Sequence, residues 1–457
     1  MKQSYIIYPL FALFSASILF AQEESGNAES STTVEISSIR IDENIVLTDT
    51  DVVITGDGKS VWAWQQSSGT FEYSATNGTL NTLGDIEVGN TWSAFTDQTL
   101  TVNLLGSGNT ISLAAGKQIN LAAAGGSPVN TGNTFAMNIA SSDEEAPNTL
   151  IVDTIRVASG VNYDSGEAST SQSILSFNGN TVLKSVTNTD TSDAPADRYY
   201  TDIYINDADV NGGVNKLIVS NSNNVLNIDD LRINSAWIDT AVGQESRYSN
   251  IPKAIVDIGG RGNTVNIRWL SVNNFGVDAS SVIKVAAGND VTVGYNWGTY
   301  SRIEANMASG LNFKEVYNAQ TGELSNGTMF VFEASADPDG FAEVSTISVD
   351  SYNGASINAF ILLDLTDCYE QLLSDWLQTA TLFENLGSDP WGEDTAYFIQ
   401  IGSIVLSVGE KYGNFSFDSV DDTNGTLIFN FTVPEPSTYA AIFGTFALAL
   451  ALWRRRK

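Results

Sequence analysis

Histidine is absent from the 457-residue chain, and cysteine occurs once, at Cys368. Histidine is the usual general base at neutral pH and the commonest transition-metal ligand, so both roles would fall to other residues here. A single cysteine excludes an intrachain disulfide and a cysteine-based zinc site. We expect Cys368 to be a small buried apolar residue rather than a reactive thiol.

Positive charge is also scarce. The chain has 21 Lys+Arg against 53 Asp+Glu, a net charge of −32. Such an acidic surface repels nucleic acid and anionic lipid, so neither is expected as a partner of the main body of the chain. Cations or neutral glycans are easier to accommodate. The abundant Asn, Ser, Thr and Gly favour turns and exposed strands over helices.

The amino end has the pattern of a secretory signal peptide. Lys2 precedes an uncharged, largely apolar stretch over residues 5–20, and acidic, polar sequence follows at once. The pattern predicts a signal peptide over residues 1–21, read by the Sec translocon and cleaved after Ala21. An uncleaved anchor is the alternative, but the stretch is shorter than the roughly 20 residues that span a bilayer.

The carboxyl end carries a second apolar stretch, over residues 439–453, which contains no charged residue. As a helix it would be roughly 22 Å long, against a hydrocarbon core of about 30 Å. Four terminal cations can extend its reach by snorkelling to the headgroups on the cytoplasmic side. These cations form the predicted membrane-stop cluster: Arg454, Arg455, Arg456 and Lys457. The sequence therefore predicts a short membrane-spanning helix, with a buried globular helix as the alternative.

A proline-bracketed glutamate lies just before this stretch, in the sequence Val433-Pro434-Glu435-Pro436. Both prolines fix φ, and Pro436 disfavours helical geometry at Glu435, so the motif is extended and accessible. This motif, the apolar helix and the terminal cations together resemble the PEP-CTERM sorting signal over residues 433–457. The resemblance implies a Gram-negative bacterium whose exosortase, a membrane protease, recognises Pro434-Glu435-Pro436 and cuts nearby. It also implies an inner-membrane-tethered precursor that reaches the cell surface or extracellular matrix, often among exopolysaccharide and biofilm components.

Short alternating strands run from roughly residue 33 to 308, within a predicted solenoid region over residues 22–308. A short sequence phrase recurs, in which a Gly- and Asn-rich turn precedes an aliphatic strand. One asparagine marks each copy of the phrase: Asn109, Asn180, Asn224, Asn263 and Asn289. Period-two alternation with β-branched residues predicts strands. The repeated phrase favours an all-β, parallel β-solenoid with asparagines aligned at its corners. The region resembles right-handed β-helix proteins and autotransporter-like passengers. In the alternative, an antiparallel sandwich, the same phrases would be hairpin turns.

Residues 309–432 have stronger strands, richer in Phe and Leu. A segment at about 366–386 has apolar residues at helical spacing, namely Leu372, Leu373, Trp376 and Leu377. The sequence therefore predicts a C-terminal β-rich cap, or a separate β domain, with one helix. A cap is expected because a solenoid must close its exposed edge.

Two patterns are similar to features of polysaccharide-active β-helix enzymes. Asn188-Thr189-Asp190 and Asp229-Asp230 resemble the carboxylate motifs of pectin hydrolases, which use aspartates as acid and base. Those enzymes also carry a histidine motif, which this chain lacks. Polysaccharide lyases of this shape can use an arginine or lysine as the base with calcium. Four arginines are available for that role, Arg232, Arg247, Arg261 and Arg268.

The loop over residues 188–202 combines acidic and aromatic side chains. Its members are Asp190, Asp193, Asp197, Tyr199, Tyr200 and Asp202. Carboxylate oxygens suit calcium, and aromatic rings can stack on a sugar, so the loop is a candidate calcium or glycan site. A plain solvated loop is the alternative. The sequence Asp337-Pro338-Asp339-Gly340 begins like a calcium loop, but its glycine comes too early for an EF-hand, and we expect a turn.

The sequence favours an exported surface or matrix protein with a structural or adhesive role, associated with extracellular polysaccharide. No catalytic residue and no cofactor is assigned, calcium being the one candidate ion. The alternative is a secreted polysaccharide-active β-helix enzyme, a lyase or hydrolase. An enzyme should gather acidic and basic groups in one place, whereas a structural solenoid should spread its charge evenly.

Overall fold

The computed structural model describes these residues: 18–19, 33–63, 68–90, 96–123, 131–158, 169–185, 200–206, 212–234, 253–273, 279–294, 302–349, 355–369, 379–387 and 390–431. Within them the chain is nearly all β, and long parallel sheets dominate. Strands one coil apart pair side by side in the same direction, so the fold is solenoid-like. The alternative of an antiparallel sandwich is wrong.

Each coil contributes strands to three faces, which we name A, B and C in chain order. Face A comprises Thr33–Ile36, Asp51–Ile54, Thr79–Thr82, Thr110–Leu113, Asn148–Ile151, Thr181–Lys184, Asp290–Val293, Ile347–Val349 and Phe383–Glu384. Face B comprises Ile39–Arg40, Lys59–Trp62, Asp85–Asn90, Gln118–Ala123, Thr154–Val157, Thr201–Ile205, Arg302–Ala305 and Ala355–Ile357. Two long strands, Val225–Ile233 and Thr264–Val272, run through both faces and join them into one 20-stranded sheet.

Face C is a separate 12-stranded sheet. Its parallel strands are Asn44–Thr48, Gly69–Thr76, Thr99–Ser107, Thr134–Ile139, Ser169–Asn178, Gly212–Ser220, Lys253–Ile258, Ser280–Ala286, Gly327–Glu333, Phe360–Asp364 and Ala396–Ile401. The twelfth strand, Ile404–Ser407, is antiparallel to its neighbour.

The core lies between the three faces and is built from the alternating aliphatic positions. On face C, one inward column passes through Phe71, Val102, Met137, Leu175, Leu217, Val256, Ile283 and Phe330. These side chains are buried and belong to one continuous cluster. Period-two alternation points every second side chain inward, which is why the short sequence alternations predicted the strands correctly.

Asparagines form a buried column at the corner between faces C and A, as the repeated phrase predicted. Asn109, Asn224 and Asn263 are 0% exposed, and Asn289 is also buried. Asn109 N donates to Asn148 Oδ1 at 2.9 Å, so Asn148 extends the column. Asn180 does not belong to it. Val182 pairs with Val225, which places Thr181 in the column and Asn180 one position earlier, in a left-handed turn at φ 51°.

A second asparagine column lies at the corner between faces B and C. The register aligns Asn206, Asn234, Asn273, Asn306 and Asn358, each directly after a face-B strand. Asn206, Asn234 and Asn273 adopt positive φ, the left-handed conformation that asparagine tolerates better than most residues. Asn206 Nδ2 donates to Asn234 Oδ1 at 2.5 Å. Both corners are therefore held by amide side chains that link consecutive coils.

The predicted boundary at residue 308 does not coincide with the end of the solenoid. Parallel pairing on face C continues through Phe360–Asp364 to Ala396–Ile401. The richer Phe and Leu content has another cause: these strands are buried on both sides. A helix, Phe313–Val316, and a hairpin of Tyr317–Asn318 and Glu323–Leu324 cover the outer side of face C there. Phe313 stacks on Phe398 with ring centroids 3.9 Å apart.

Antiparallel strands close the C-terminal end. A four-stranded sheet contains Thr379–Thr381, Lys411–Tyr412, Phe415–Asp421 and Thr426–Phe431. Its phenylalanines Phe415, Phe417, Phe429 and Phe431 belong to the same continuous core as the solenoid. A small hairpin of Ser335–Ala336 and Ala342–Glu343 and a two-residue strand, Ile18–Leu19, complete the described elements.

The helix predicted at about 366–386 is wrong in its last part. Thr379–Thr381 is a strand antiparallel to Thr426–Phe431, and Phe383–Glu384 is a strand parallel to Ile347–Val349. Residues 370–378, which carry Leu372, Leu373, Trp376 and Leu377, lie outside the described part of the chain. Cys368 is buried, as expected.

Candidate functional site

Two aspartates lie where the strand Val225–Ile233 turns from face A to face B. Ile228 and Leu231 both point into the core, so the two residues between them break the alternation. The register with the preceding coil shifts at this point, and both Asp229 and Asp230 stand opposite Asp202. The irregularity therefore gathers three carboxylates from two consecutive coils.

The next coil supplies the counter-charge. In Thr264–Val272 the same corner carries Arg268 and Trp269, and Trp269 pairs in register with Asp230. Arg268 Nη2 donates to Asp229 Oδ2 at 2.9 Å, and Arg268 Nε also contacts Asp229. Removing one partner of such a shielded pair would leave an uncompensated charge.

Asp230 is held by an arginine on its own strand. Arg232 Nε donates to Asp230 Oδ2 at 2.7 Å. The Asp230 side chain is 8% exposed and that of Arg232 is 30% exposed. Asp230 Oδ1 and Trp269 Nε1 are buried and have no hydrogen-bond partner within the described ranges. A polar ligand or water could satisfy both atoms.

Tyr204 lies between two arginines on neighbouring face-B strands. The register aligns Arg156, Tyr204 and Arg232 across three coils. The guanidinium carbons of Arg156 and Arg232 lie 4.9 and 5.2 Å from the Tyr204 ring centroid, and Arg232 lies 5.9 Å from the Trp269 ring. At these distances, cation–π attraction between the guanidinium groups and the rings holds the planar groups side by side.

The proton affinity of Asp202 is raised. Burial, followed by the negative charges of Asp229 and Asp230, raises the pKa of Asp202 to about 6. Tyr204 Oη donates to Asp202 Oδ2 at 3.2 Å, which opposes the shift. Burial also raises the pKa of Asp230, against the effect of Arg232. Asp202 therefore titrates close to neutral pH.

We name this group the face-B cluster, and its members are Arg156, Asp202, Tyr204, Asp229, Asp230, Arg232, Arg268 and Trp269. It contains Asp202 from the predicted loop, the predicted Asp229-Asp230 pair, and two of the four candidate arginines. Its other three members, Arg156, Tyr204 and Trp269, belong to no pattern that the sequence shows. Only the register of the coils relates them to the aspartates, so no local motif could have identified them.

Other predicted residues lie elsewhere. Tyr200 is 4% exposed, so its ring is not available for sugar stacking. Arg261 instead pairs with Glu343 and donates from Nη2 to Ala336 O at 2.9 Å. The remaining predicted residues fall outside the described part of the chain: Ala21, Asn188, Thr189, Asp190, Asp193, Asp197, Tyr199, Arg247, Val433, Pro434, Glu435, Pro436, Arg454, Arg455, Arg456 and Lys457.

Within the described ranges, no three or more acidic or cysteine side chains are grouped so that they could hold a metal ion. Asp337-Pro338-Asp339-Gly340 is the turn that the sequence predicted. Asp337 Oδ1 accepts from the backbone N of Asp339 and of Phe341, at 3.0 and 2.7 Å, at the tip of a hairpin. Its carboxylate thus stabilises the turn.

None of the helices that the structure describes has the length and hydropathy of a membrane span, and residues 439–453 are outside the described ranges. Comparisons with protein-family models, with curated proteins and with solved structures give no match to this chain.

Proposed function

We propose that the protein is an exported, non-catalytic β-solenoid with a structural or adhesive role at the cell surface or in the extracellular matrix. The sequence supports export through the apolar stretch over residues 5–20, which precedes the cleavage position Ala21, and through the tail motif Pro434-Glu435-Pro436. In this proposal the Sec translocon carries the precursor out, the inner membrane holds its tail, and an exosortase cuts near the motif. A right-handed coil, as in the β-helix proteins that the chain resembles, belongs to the same proposal.

The observation that carries a scaffold role is the continuous stack of coils. Face C alone places 12 strands side by side. At 4.7–4.9 Å between neighbouring strands, this sheet is about 50 Å long. Buried asparagines link the coils at two corners. A stiff rod with repeated outer faces suits lateral contact with a linear polymer such as an extracellular polysaccharide.

The face-B cluster is the most suitable place for that contact. The half-buried Trp269 ring can stack on a sugar ring, whereas the Tyr204 ring lies between Arg156 and Arg232 and positions them. Arginines donate to hydroxyl or carboxylate oxygens. The pairing of its acids favours binding over catalysis. Asp229 contacts Arg268 and Asp230 contacts Arg232, so neither is a free general base.

Retention on immobilised polysaccharide tests the binding role. Protein purified from its producer would be passed over neutral and uronate-containing polysaccharides. Replacing Tyr204 and Trp269 together by alanine should weaken binding at least about tenfold, since the Trp269 ring that stacks on the sugar and the Tyr204 ring that positions two arginines are both lost, each worth about 1 kcal/mol. Tyr412→Ala is the control, because Tyr412 is a 43% exposed tyrosine at the C-terminal end. Equal retention of all three proteins would contradict a binding role for the cluster.

Two observations favour the enzymatic alternative. The face-B cluster gathers acidic and basic groups in one place, as expected of an enzyme. A carboxyl group with a pKa of about 6, beside other carboxylates, is the kind of acid that glycoside hydrolysis uses. Incubation with the same polysaccharides would reveal new reducing ends from a hydrolase or unsaturated products from a lyase. Products that disappear with Asp202→Asn would establish catalysis and overturn the non-catalytic proposal. Their absence would support it.

A further inference from the structure

The two ends of the solenoid differ. The C-terminal end is closed by the antiparallel strand Ile404–Ser407 and by the four-stranded sheet. At the N-terminal end, the first coil consists of Thr33–Ile36, Ile39–Arg40 and Asn44–Thr48, each paired with the second coil. In the described part of the chain, the outer edges of the last two of these strands pair with no other strand.

The first coil is also incompletely buried. Ile45 and Leu47 pair in register with Phe71 and Tyr73, which are 0% exposed, yet both aliphatic side chains are only partly buried. Val46 is 55% exposed. Unpaired backbone groups beside exposed aliphatic side chains form an edge that readily accepts another strand.

The remaining strand of the first coil does have a partner, and that partner shows how the edge pairs. Ile18–Leu19 lies antiparallel to Thr33–Ile36, with Ile18 opposite Ile36 and Leu19 opposite Glu35. Both residues belong to the predicted signal peptide, so cleavage after Ala21 removes them. Residues 22–32, with the sequence QEESGNAESST, contain three glutamates and no β-branched aliphatic residue, and they make a poor replacement strand.

We propose that two mature copies join end to end at their first coils, with Thr33–Ile36 of one copy antiparallel to the same strand of the second. This inference rests on the signal cleavage in the proposed function. An antiparallel pair of identical strands is what a two-fold axis generates, and it forms a closed dimer. Head-to-tail stacking would need an open C-terminal edge, and that end is closed.

Charge makes the association depend on salt. The full chain has a net charge of −32, and a mature copy that has lost Lys2 and the four terminal cations is more negative still, so two copies repel each other. Contact through the ends alone keeps most of this charge far apart. Screening shortens the range of the remaining repulsion from about 30 Å at 0.01 M salt to about 8 Å at 0.15 M. Dimerisation therefore strengthens as the salt concentration rises.

Sedimentation equilibrium of the protein secreted by its producer tests the proposal at several protein and salt concentrations. A monomer–dimer equilibrium that shifts toward dimer with salt is expected. Val46→Asp should raise the dimer dissociation constant at least about tenfold, because Val46 lies on an edge strand of the first coil and each copy then adds a negative charge beside a contact between two acidic chains. Val408→Asp is the matched control, since Val408 is a 49% exposed valine near the closed end and should leave the dimer unchanged.

A cross-link gives a second readout. Cys368, the only cysteine, is buried, so an introduced surface cysteine is the only accessible thiol. Under mild oxidation Glu35→Cys should give a disulfide-linked dimer, whereas Val408→Cys should not. A monomer under all conditions, in protein whose mass shows that it begins at Gln22, would overturn the dimer and leave the export proposal intact. Protein that still carries residues 1–21 would instead contradict the cleavage and with it the dimer.

Discussion

Asn263 Oδ1 accepts two hydrogen bonds from Asn224, one from the backbone N–H at 3.0 Å and one from Nδ2 at 2.9 Å. The same arrangement recurs in the next coil, where Asn289 Oδ1 accepts from Asn263 N and Nδ2 at 3.0 Å each. Each amide thus satisfies a corner N–H that would otherwise be buried without a partner. The column holds consecutive coils in register.

Asn263→Ala should lower the free energy of unfolding by about 2–4 kcal/mol, because it leaves several buried polar groups without partners. Urea denaturation of the variant and the parent protein measures the loss. Asn266→Ala is the matched control. Asn266 lies on the outer side of the same strand, is only half-buried and donates to Asn227 Oδ1. We expect less than about 1 kcal/mol for this change, and equal losses at both sites would contradict a special role for the column.

Asn234 in the second column should reveal a conformational requirement. Its φ is 49°, a left-handed conformation that glycine adopts without strain. Asn234→Gly therefore adds no backbone strain, whereas Asn234→Ala adds about 1 kcal/mol of it. Both variants lose the same side-chain hydrogen bonds. Thermal unfolding should therefore rank glycine above alanine. At Asn215, a buried strand residue outside the positive-φ set, the ranking should reverse. The same ranking at both sites would count against this explanation.

Asp202 should make stability depend on pH in a defined direction. Its pKa of about 6 in the folded protein lies above the ordinary value of 3.8. The folded state therefore binds the proton more tightly, and this stabilising contribution is lost as the pH rises from about 4 through 6. Asp202→Asn removes that loss. The free energy of unfolding of the variant minus that of the parent should therefore be larger at about pH 7 than at about pH 4.

Asp421→Asn provides a control of opposite sign. Backbone and side-chain hydrogen bonds from Thr423 lower the pKa of the exposed Asp421 carboxyl. Its contribution is present above the unfolded pKa and is lost as the pH falls through the folded one. Chemical denaturation across this pH range distinguishes the two variants. A flat difference for Asp202→Asn would contradict the shifted pKa.

Local patterns predicted the fold well because they act within a single coil. Alternation identified inward residues such as Val102 and Ile267, and the Gly/Asn phrase identified most of the first corner column. It failed at Asn180, where one residue of register separates a turn asparagine from Thr181 in the column. The second column follows a simple rule, an aliphatic residue then Asn as in Ile233-Asn234, but only the aligned coils make the rule visible.

The candidate site was harder to predict. Asp229-Asp230 stood out in the sequence, yet its partners Tyr204 and Arg268 are 25 or more residues away along the chain. Parallel pairing brings them together, and the spacing between coils varies with the length of each corner loop. The Phe and Leu content of strands such as Phe360–Asp364 likewise predicts a cap or a separate domain, because the helix Phe313–Val316 that covers them leaves no signal within those strands.

Changing the tail motif should block processing. Pro434→Ala with Pro436→Ala removes the rings that fix an extended backbone around Glu435. The proposed exosortase should therefore no longer bind the motif. The full-length precursor should then accumulate in the inner-membrane fraction, as detected by immunoblotting. Thr432→Ala, beside the motif, should be processed normally. Unchanged release of the double variant would contradict exosortase handling.

The intact mass of the protein recovered from the surface or culture medium of its producer tests the central claim most directly. The account predicts a chain that begins at Gln22 and ends upstream of the apolar segment at 439–453. A mass that retains residues 1–21, or one that still includes Lys457, would contradict it.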